Sequence, residues 1–142
     1  MKRYPQVIAF MTPFPHSIGV DAPLEDAHKL MREHGFRHLP VMSGGEIVGV
    51  LTDRDIKLVL GPDFGRSDES ELRVRDAYVE SPCVVPASTP LAKVARVMAE
   101  NRIGSAIITK HGKLVGIFTV TDACHALAEI VGDRDAEANS EA

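Results

Sequence analysis

Residues 7–60 superimpose on residues 74–127 without a gap, at a constant offset of 67, and twelve of the 54 positions are identical. Composition alone would give on the order of three to four matches. The identities fall at structural punctuation, among them Pro15/Pro82, Pro23/Pro90, Leu24/Leu91, Met31/Met98, Gly45/Gly112, Gly49/Gly116, Thr52/Thr119 and Asp55/Asp122. A duplication of this length constrains the chain to two like halves packed about a pseudo-two-fold axis. Any cleft between such halves occurs twice, so function is expected at the seam.

Each half has the same order of elements. In the first, His16–Val20 is a short extended run, and Asp21-Ala-Pro23 announces a helix with Glu25 and Asp26 at the positive end of its dipole. Leu24, Ala27, Leu30 and Met31 recur at helical spacing, as do Leu91, Val94, Val97 and Met98 in the second half. Two strands follow each helix: His38–Met42 turns through Ser43-Gly44-Gly45 into Glu46–Thr52, and Ser105–Thr109 turns through Lys110-His111-Gly112 into Lys113–Thr119. The spacing predicts a second helix over Asp53–Leu60, stopped by Gly61-Pro62, and over Thr121–Val131, stopped by Gly132. Gly61–Glu71 reads as a linker. The expected fold is α/β (α+β), with two β-α-β-β-α repeats packed pseudo-symmetrically into one module. Residues 1–66 form the first repeat with its N-terminal segment, 67–132 form the second, and 133–142 form an acidic disordered tail. At about 55 residues each, the halves are expected to complete one another's core.

Charge narrows the function. Of the formal net charge of −4, the last ten residues supply −3, through Asp133, Asp135, Glu137 and Glu141 against Arg134. Neither part offers the basic face that nucleic-acid binding needs, and the scarcity of aromatics removes base-stacking platforms. No apolar run approaches the roughly 18–20 residues of a membrane span. The basic N-terminus lacks the apolar stretch of a signal peptide, so a cytoplasmic location is expected. Cys83 and Cys124 are not equivalent in the two repeats and form no C-x-x-C pair, which favours free thiols over a disulfide or zinc site. His28, His34, His111 and His125 lack the spacing of a metal cluster. Met11, Met31, Met42 and Met98 read mostly as core filler.

Both repeats end their last strand with G-h-h-T-x-x-D: Gly49-Val-Leu-Thr52-Asp-Arg-Asp55 and Gly116-Ile-Phe-Thr119-Val-Thr-Asp122. Taken alone, Thr-x-x-Asp at a strand-to-helix junction is a capping box, in which hydroxyl and carboxylate satisfy free backbone N–H groups. The same geometry suits a nucleotide. A helix N-terminus favours phosphate, the Thr hydroxyl can join the phosphate cradle, and a carboxylate one turn on can accept both hydroxyls of a ribose. The glycine three residues before each Thr would let a flat base or the facing half approach the strand closely.

The duplicated unit, the Arg37-His-Leu-Pro-Val41 strand and the paired motifs resemble a tandem of CBS domains, named after cystathionine β-synthase and called a Bateman module when paired. The resemblance covers residues 7–131. It implies two clefts for adenosine-containing ligands such as AMP, ADP, ATP or S-adenosylmethionine, with no required cofactor. Carried onto this chain, one site joins Thr119, Thr121 and Asp122 to Met11, Phe14, His16, Phe36, Arg37 and His38. The other joins Thr52, Arg54 and Asp55 to Tyr78, Ser81, Cys83, Ile103 and Gly104. Arg37-His38 brings charge to the first site where Gly104-Ser105 brings none to the second, so the Asp122 site is expected to bind phosphate more tightly. His16 could equally lie on a half-exposed strand, and Phe36 suits a core corner better than a stacking platform. The 142 residues hold no effector domain. The resemblance therefore implies a homodimeric sensor that signals to a separate protein partner or acts as a small stand-alone sensor. The alternative is a ligand-free dimerisation or adaptor module whose Thr and Asp act only as helix caps. No nucleophile–base pair, metal cluster or phosphate loop points to an enzyme.

Overall fold

The structure, a computed structural model, describes residues 4–13, 16–61, 71–80 and 83–140, with side chains as far as Asp133. In chain order the elements begin with a 3-10 turn Val7–Ala9, β1 (Thr12–Pro13), β2 (Ile18–Gly19), α1 (Leu24–His34), β3 (His38–Ser43), β4 (Glu46–Thr52) and α2 (Asp53–Leu60). A second 3-10 turn Val74–Asp76 follows, then β5 (Val79–Glu80), β6 (Val84–Pro86), α3 (Leu91–Asn101), β7 (Ser105–Lys110), β8 (Lys113–Thr119) and α4 (Val120–Ser140). Among the described residues no helix is long and apolar enough to cross a membrane.

The chain divides into two compact units. A first unit spans Pro15–Cys83, and a second joins Met1–Phe14 to Val84–Ala142. This division differs from the repeat boundary expected at 66/67, because the segment that opens each repeat packs on the other repeat's strands. The first unit's sheet has the order β2-β3-β4-β5 and the second unit's the order β1-β8-β7-β6. In both, the short first strand runs parallel to the long one beside it, and the two long strands form an antiparallel hairpin. β1 and β5, two residues each, were not foreseen as strands, since so short a run carries no periodicity.

The amphipathic helices lie where the apolar stripes require. α1 buries Leu24, Ala27 and Met31, and α3 buries Leu91, Val94 and Met98 at the same spacing. In the first unit these side chains meet Leu39, Val41, Leu51 and Ile56, with Val74 contributed by the incoming segment. The second unit buries Val7 with Ile107, Ile108 and Phe118. Val74 and Val7 are both fully buried anchors, so each incoming segment belongs to the core it joins.

The two incoming segments are bonded alike. Val74 N–H donates to the Ala22 carbonyl (2.9 Å) and Arg75 N–H to the Val20 carbonyl (3.0 Å). In the second unit Val7 N–H donates to the Thr89 carbonyl (2.8 Å) and Ile8 N–H to the Ala87 carbonyl (3.2 Å). β5 then pairs with β4 at Gly49 and Val50, and β1 with β8 at Gly116 and Ile117. A Cβ at Gly49 would overlap the Val79 carbonyl oxygen and the Tyr78 ring. At Gly116 it would overlap the Met11 sulfur and come within 2.9 Å of the Thr12 carbonyl oxygen. The close approach expected at these glycines is therefore filled by the incoming backbone itself.

One boundary departs from the sequence expectation. α4 does not stop at Gly132 but runs to Ser140, through most of the segment expected to be disordered. A glycine inside a helix costs about 1 kcal/mol relative to alanine, which does not by itself end it, and Asp133-Arg-Asp-Ala-Glu-Ala138 is rich in residues that sustain helix. Residues 62–70, most of the expected linker, lie outside the described residues.

Gly49→Ala and Gly116→Ala are each expected to destabilise the fold by ~1–3 kcal/mol, because backbone must move to admit the methyl group. Gly132→Ala, with open space around it, should instead add up to ~1 kcal/mol. Urea melts of the three variants check the contrast, and equal effects at the three positions would contradict it.

Candidate functional site

Each unit holds one Thr-x-x-Asp helix start, at the end of its last long strand. In the first unit Thr52 caps α2: its hydroxyl accepts from Asp55 N–H (3.1 Å), and the Asp55 carboxylate accepts from Thr52 N–H (3.0 Å). Thr119 and Asp122 repeat the exchange at 3.2 and 2.9 Å. The capping reading of the motif is thus met in both repeats. Each cap leaves the remaining first-turn N–H groups and the helix dipole available to an anion.

The second unit adds more around its carboxylate. The Thr119 hydroxyl lies 3.1 Å from Asp122 Oδ2, so this oxygen takes both the hydroxyl and the Thr119 N–H. The hydroxyl of Thr12, on β1, donates to Asp122 Oδ1 at 3.1 Å and reaches Oδ2 at 3.3 Å. A carboxylate oxygen has two lone pairs, so Oδ1 keeps capacity for one further donor. Thr12 was not singled out in the sequence. The signal for it was its position beside Met11, one residue from a named candidate, and its lack of a counterpart. At the offset of 67 stands Val79, which has no hydroxyl to offer.

The other candidates fall as follows. Met11 lies against Gly116 in the second unit, and Tyr78, its equivalent, lies against Gly49 in the first. Thr121 and Arg54, the middle residues of the two motifs, are exposed. His38 is half-buried and stands opposite Thr52 in the β3–β4 register, as Ser105 stands opposite Thr119. Arg37 is exposed, and its carbonyl accepts from Asp53 N–H (3.1 Å). The Gly104 carbonyl accepts equivalently from Val120 N–H (3.2 Å), and the half-buried Ile103 precedes it. Arg37 and His38 therefore neighbour Thr52 in their own unit, whereas Ile103 and Gly104 neighbour Thr119. Phe14 and Ser81 lie outside the described residues.

His16 and Phe36 come together, with a residue expected to play only a surface or packing role. The His16 ring stacks on His34 at 4.2 Å between centroids and on Phe36 at 5.4 Å. Phe36 is also packed against the first unit's core, as its place at a helix-to-strand corner suggested. Cys83 and Cys124 are both free thiols; Cys83 is half-buried, and burial pushes its pKa up.

Loss of either cap hydroxyl, in Thr52→Ala or Thr119→Ala, should cost about 1 kcal/mol in a denaturant melt. Thr12→Val, which copies Val79 at an exposed bond, should cost less than either. A second expectation concerns the thiols. At neutral pH iodoacetamide should label exposed Cys124 faster than Cys83, whose raised pKa keeps it protonated. The Cys83 rate should keep climbing at a pH above the usual thiol range; equal neutral rates by mass spectrometry would contradict this.

Known proteins are similar to this chain. The CBS domain family model matches residues 7–61 and 74–129, one match per repeat. The chain is similar to an inosine-5'-monophosphate dehydrogenase of Korarchaeum cryptofilum, 31% identical over 116 residues that make up 80% of this chain and 22% of the dehydrogenase. It thus spans about a fifth of that relative's length. It is also similar to a CBS domain-containing protein of Dictyostelium discoideum, 25% identical over 124 residues, 81% of this chain and 86% of the relative. Among solved structures, that of CBSX2 in complex with AMP is 29% identical, with a TM-score of 0.74 over 88% of this chain and 97% of CBSX2. With a family match in each repeat and the same mixed α/β architecture in a solved relative, this chain belongs to the CBS domain family, as a tandem pair of CBS repeats.

Proposed function

We propose that this chain is a regulatory module that binds an adenosine-containing nucleotide at its Thr-x-x-Asp helix starts and signals to a separate protein partner. The observation that carries this reading is Asp122, whose Oδ1 retains an open acceptor position beside the start of α4. The AMP complex of the similar CBSX2 supports adenosine as the ligand class. In this reading Asp122 and Asp55 accept ribose hydroxyls, while Thr119, Thr121, Thr52 and Arg54 serve the phosphate. Met11 and Tyr78, with His16, Phe36, Cys83, Ile103 and Gly104, contribute the remaining walls. Arg37 and His38, which neighbour Thr52 in their own unit, add charge to the phosphate bound at Asp55. AMP, ADP, ATP and S-adenosylmethionine all fit this class. We take the module itself as a binding rather than a catalytic unit, its two CBS repeats accounting for residues 7–61 and 74–129. It is placed in the cytoplasm as a homodimer, and the exposed Val120, Leu127 and Val131 on α4 support helix-mediated pairing.

A second reading has its own support. Both Thr/Asp pairs already satisfy one another as caps, which is all that a ligand-free dimerisation or adaptor module would need.

Thermal melts with AMP and ATP separate the two. A ligand at a hundred times its Kd stabilises by ~2.7 kcal/mol, which for a chain of this size raises Tm by at least roughly 5 °C. Asp122→Ala should abolish most of the binding measured by calorimetry, and Arg37→Gln should weaken it. No shift at millimolar nucleotide, or an unchanged isotherm for Asp122→Ala, would favour the adaptor.

A further inference from the structure

A cavity of about 500 Å³ opens in the second unit at the opposite end of β8 from Thr119. Seven residues of strand separate the two, roughly 20 Å. Its apolar lining is Ile8, Pro86 and Ala87, Lys110 and His111 border it at the β7–β8 hairpin, and among the described residues no carboxylate lines it.

The first unit carries different side chains at the equivalent positions. At the positions equivalent to Gln6, Ile8 and Ser88 stand Arg73, Arg75 and Asp21. Arg75 pairs with the Asp21 carboxylate, and Arg73 Nη1 donates to the Asp21 carbonyl at 2.6 Å. The backbone bonds that hold the two segments are the same in both units, so only the side chains differ. Two arginines and their counter-ion have become a glutamine, an isoleucine and a serine, none able to form that ion pair. The turn has changed in the opposite sense. Ser43-Gly44-Gly45-Glu46 corresponds to Lys110-His111-Gly112-Lys113, which is basic. His111 holds a left-handed φ of 53°, where Gly44 holds 57° without strain. The second unit therefore keeps an imidazole at a position where glycine would be more stable, beside a cavity whose lining has no counterpart of the first unit's ion pair.

We propose that this cavity is a ligand site distinct from the nucleotide positions, and that it takes a small organic anion. An apolar body rests on Ile8 and Pro86. A carboxylate or phosphate head is held by the Lys110 ammonium and by an N–H of His111, which donates in either protonation state.

The test is an amide NMR titration of the full chain with benzoate and with phenyl phosphate. Phenol and inorganic phosphate serve as the apolar and anionic halves alone. Saturable shifts should concentrate at Ala87, Thr109, Lys110 and Gly112, and the tighter of the two anions identifies the head group. Each half alone should bind about tenfold more weakly or worse, as expected when a charge-assisted hydrogen bond or the apolar contact is lost. Two variants borrow residues that the first unit already accommodates. Lys110→Ser with His111→Gly removes the cationic rim, and Ile8→Arg with Ser88→Asp rebuilds the ion pair in the cavity. Both should melt cooperatively and bind at least about tenfold more weakly. Saturation with AMP should leave phenyl phosphate binding unchanged. The absence of saturable shifts, an unchanged affinity in the Ile8→Arg, Ser88→Asp variant, or displacement by AMP would overturn the proposal.

Discussion

Gly49 and Gly116, the glycines of the last strand in each repeat, leave room for backbone where any other residue would carry a Cβ. The room is used at once: Val79 lies on Gly49 and Thr12 on Gly116, close enough that a methyl group would collide with the carbonyl oxygens. These contacts let β5 and β1 complete sheets begun by the other repeat. They also set Thr12 beside Asp122 and Met11 beside the strand that ends in Thr119. The entry of the opening segments and the approach of Thr12 to Asp122 depend on these glycines, and the Thr-x-x-Asp caps follow three residues on.

Much of this was legible because it is periodic or punctuated. Glu46–Thr52, Asp53–Leu60 and Lys113–Thr119 fall where their patterns place them, bounded by Gly-containing turns and by Thr at the strand-to-helix junction. That the halves complete one another's core was expected from their size, but the strands that carry the exchange were not legible. β1 and β5 are too short for alternation to show, and pairing with the other repeat is a tertiary choice made by Val7, Val74 and the two glycines. The end of α4 was misplaced for a different reason, since one glycine outweighed in the reading what the Ala- and Glu-rich stretch after it sustains. In the site, Thr52, Asp55, Thr119 and Asp122 were found by their motif. Thr12 was not, because its meaning depends on β1 reaching Asp122.

Duplication also makes departures from symmetry informative. Thr12 adds a donor to Asp122 that Val79 cannot give to Asp55. The Arg75–Asp21 pair of the first unit has no counterpart in the second unit, where a basic turn overlooks an open cavity. Each difference is a substitution on a shared backbone framework, so each separates what the fold requires from what one repeat alone has acquired.

The central claim is that the Asp122 carboxylate, besides capping α4, receives the ribose of an adenosine nucleotide. A crystal structure of the chain grown with AMP tests it most directly. The account predicts a ribose hydroxyl within hydrogen-bond distance of Asp122 Oδ1, with the Thr119–Asp122 cap intact. Crystals in which AMP lies away from both Thr-x-x-Asp helix starts, or in which neither start takes nucleotide at saturating AMP, would contradict it.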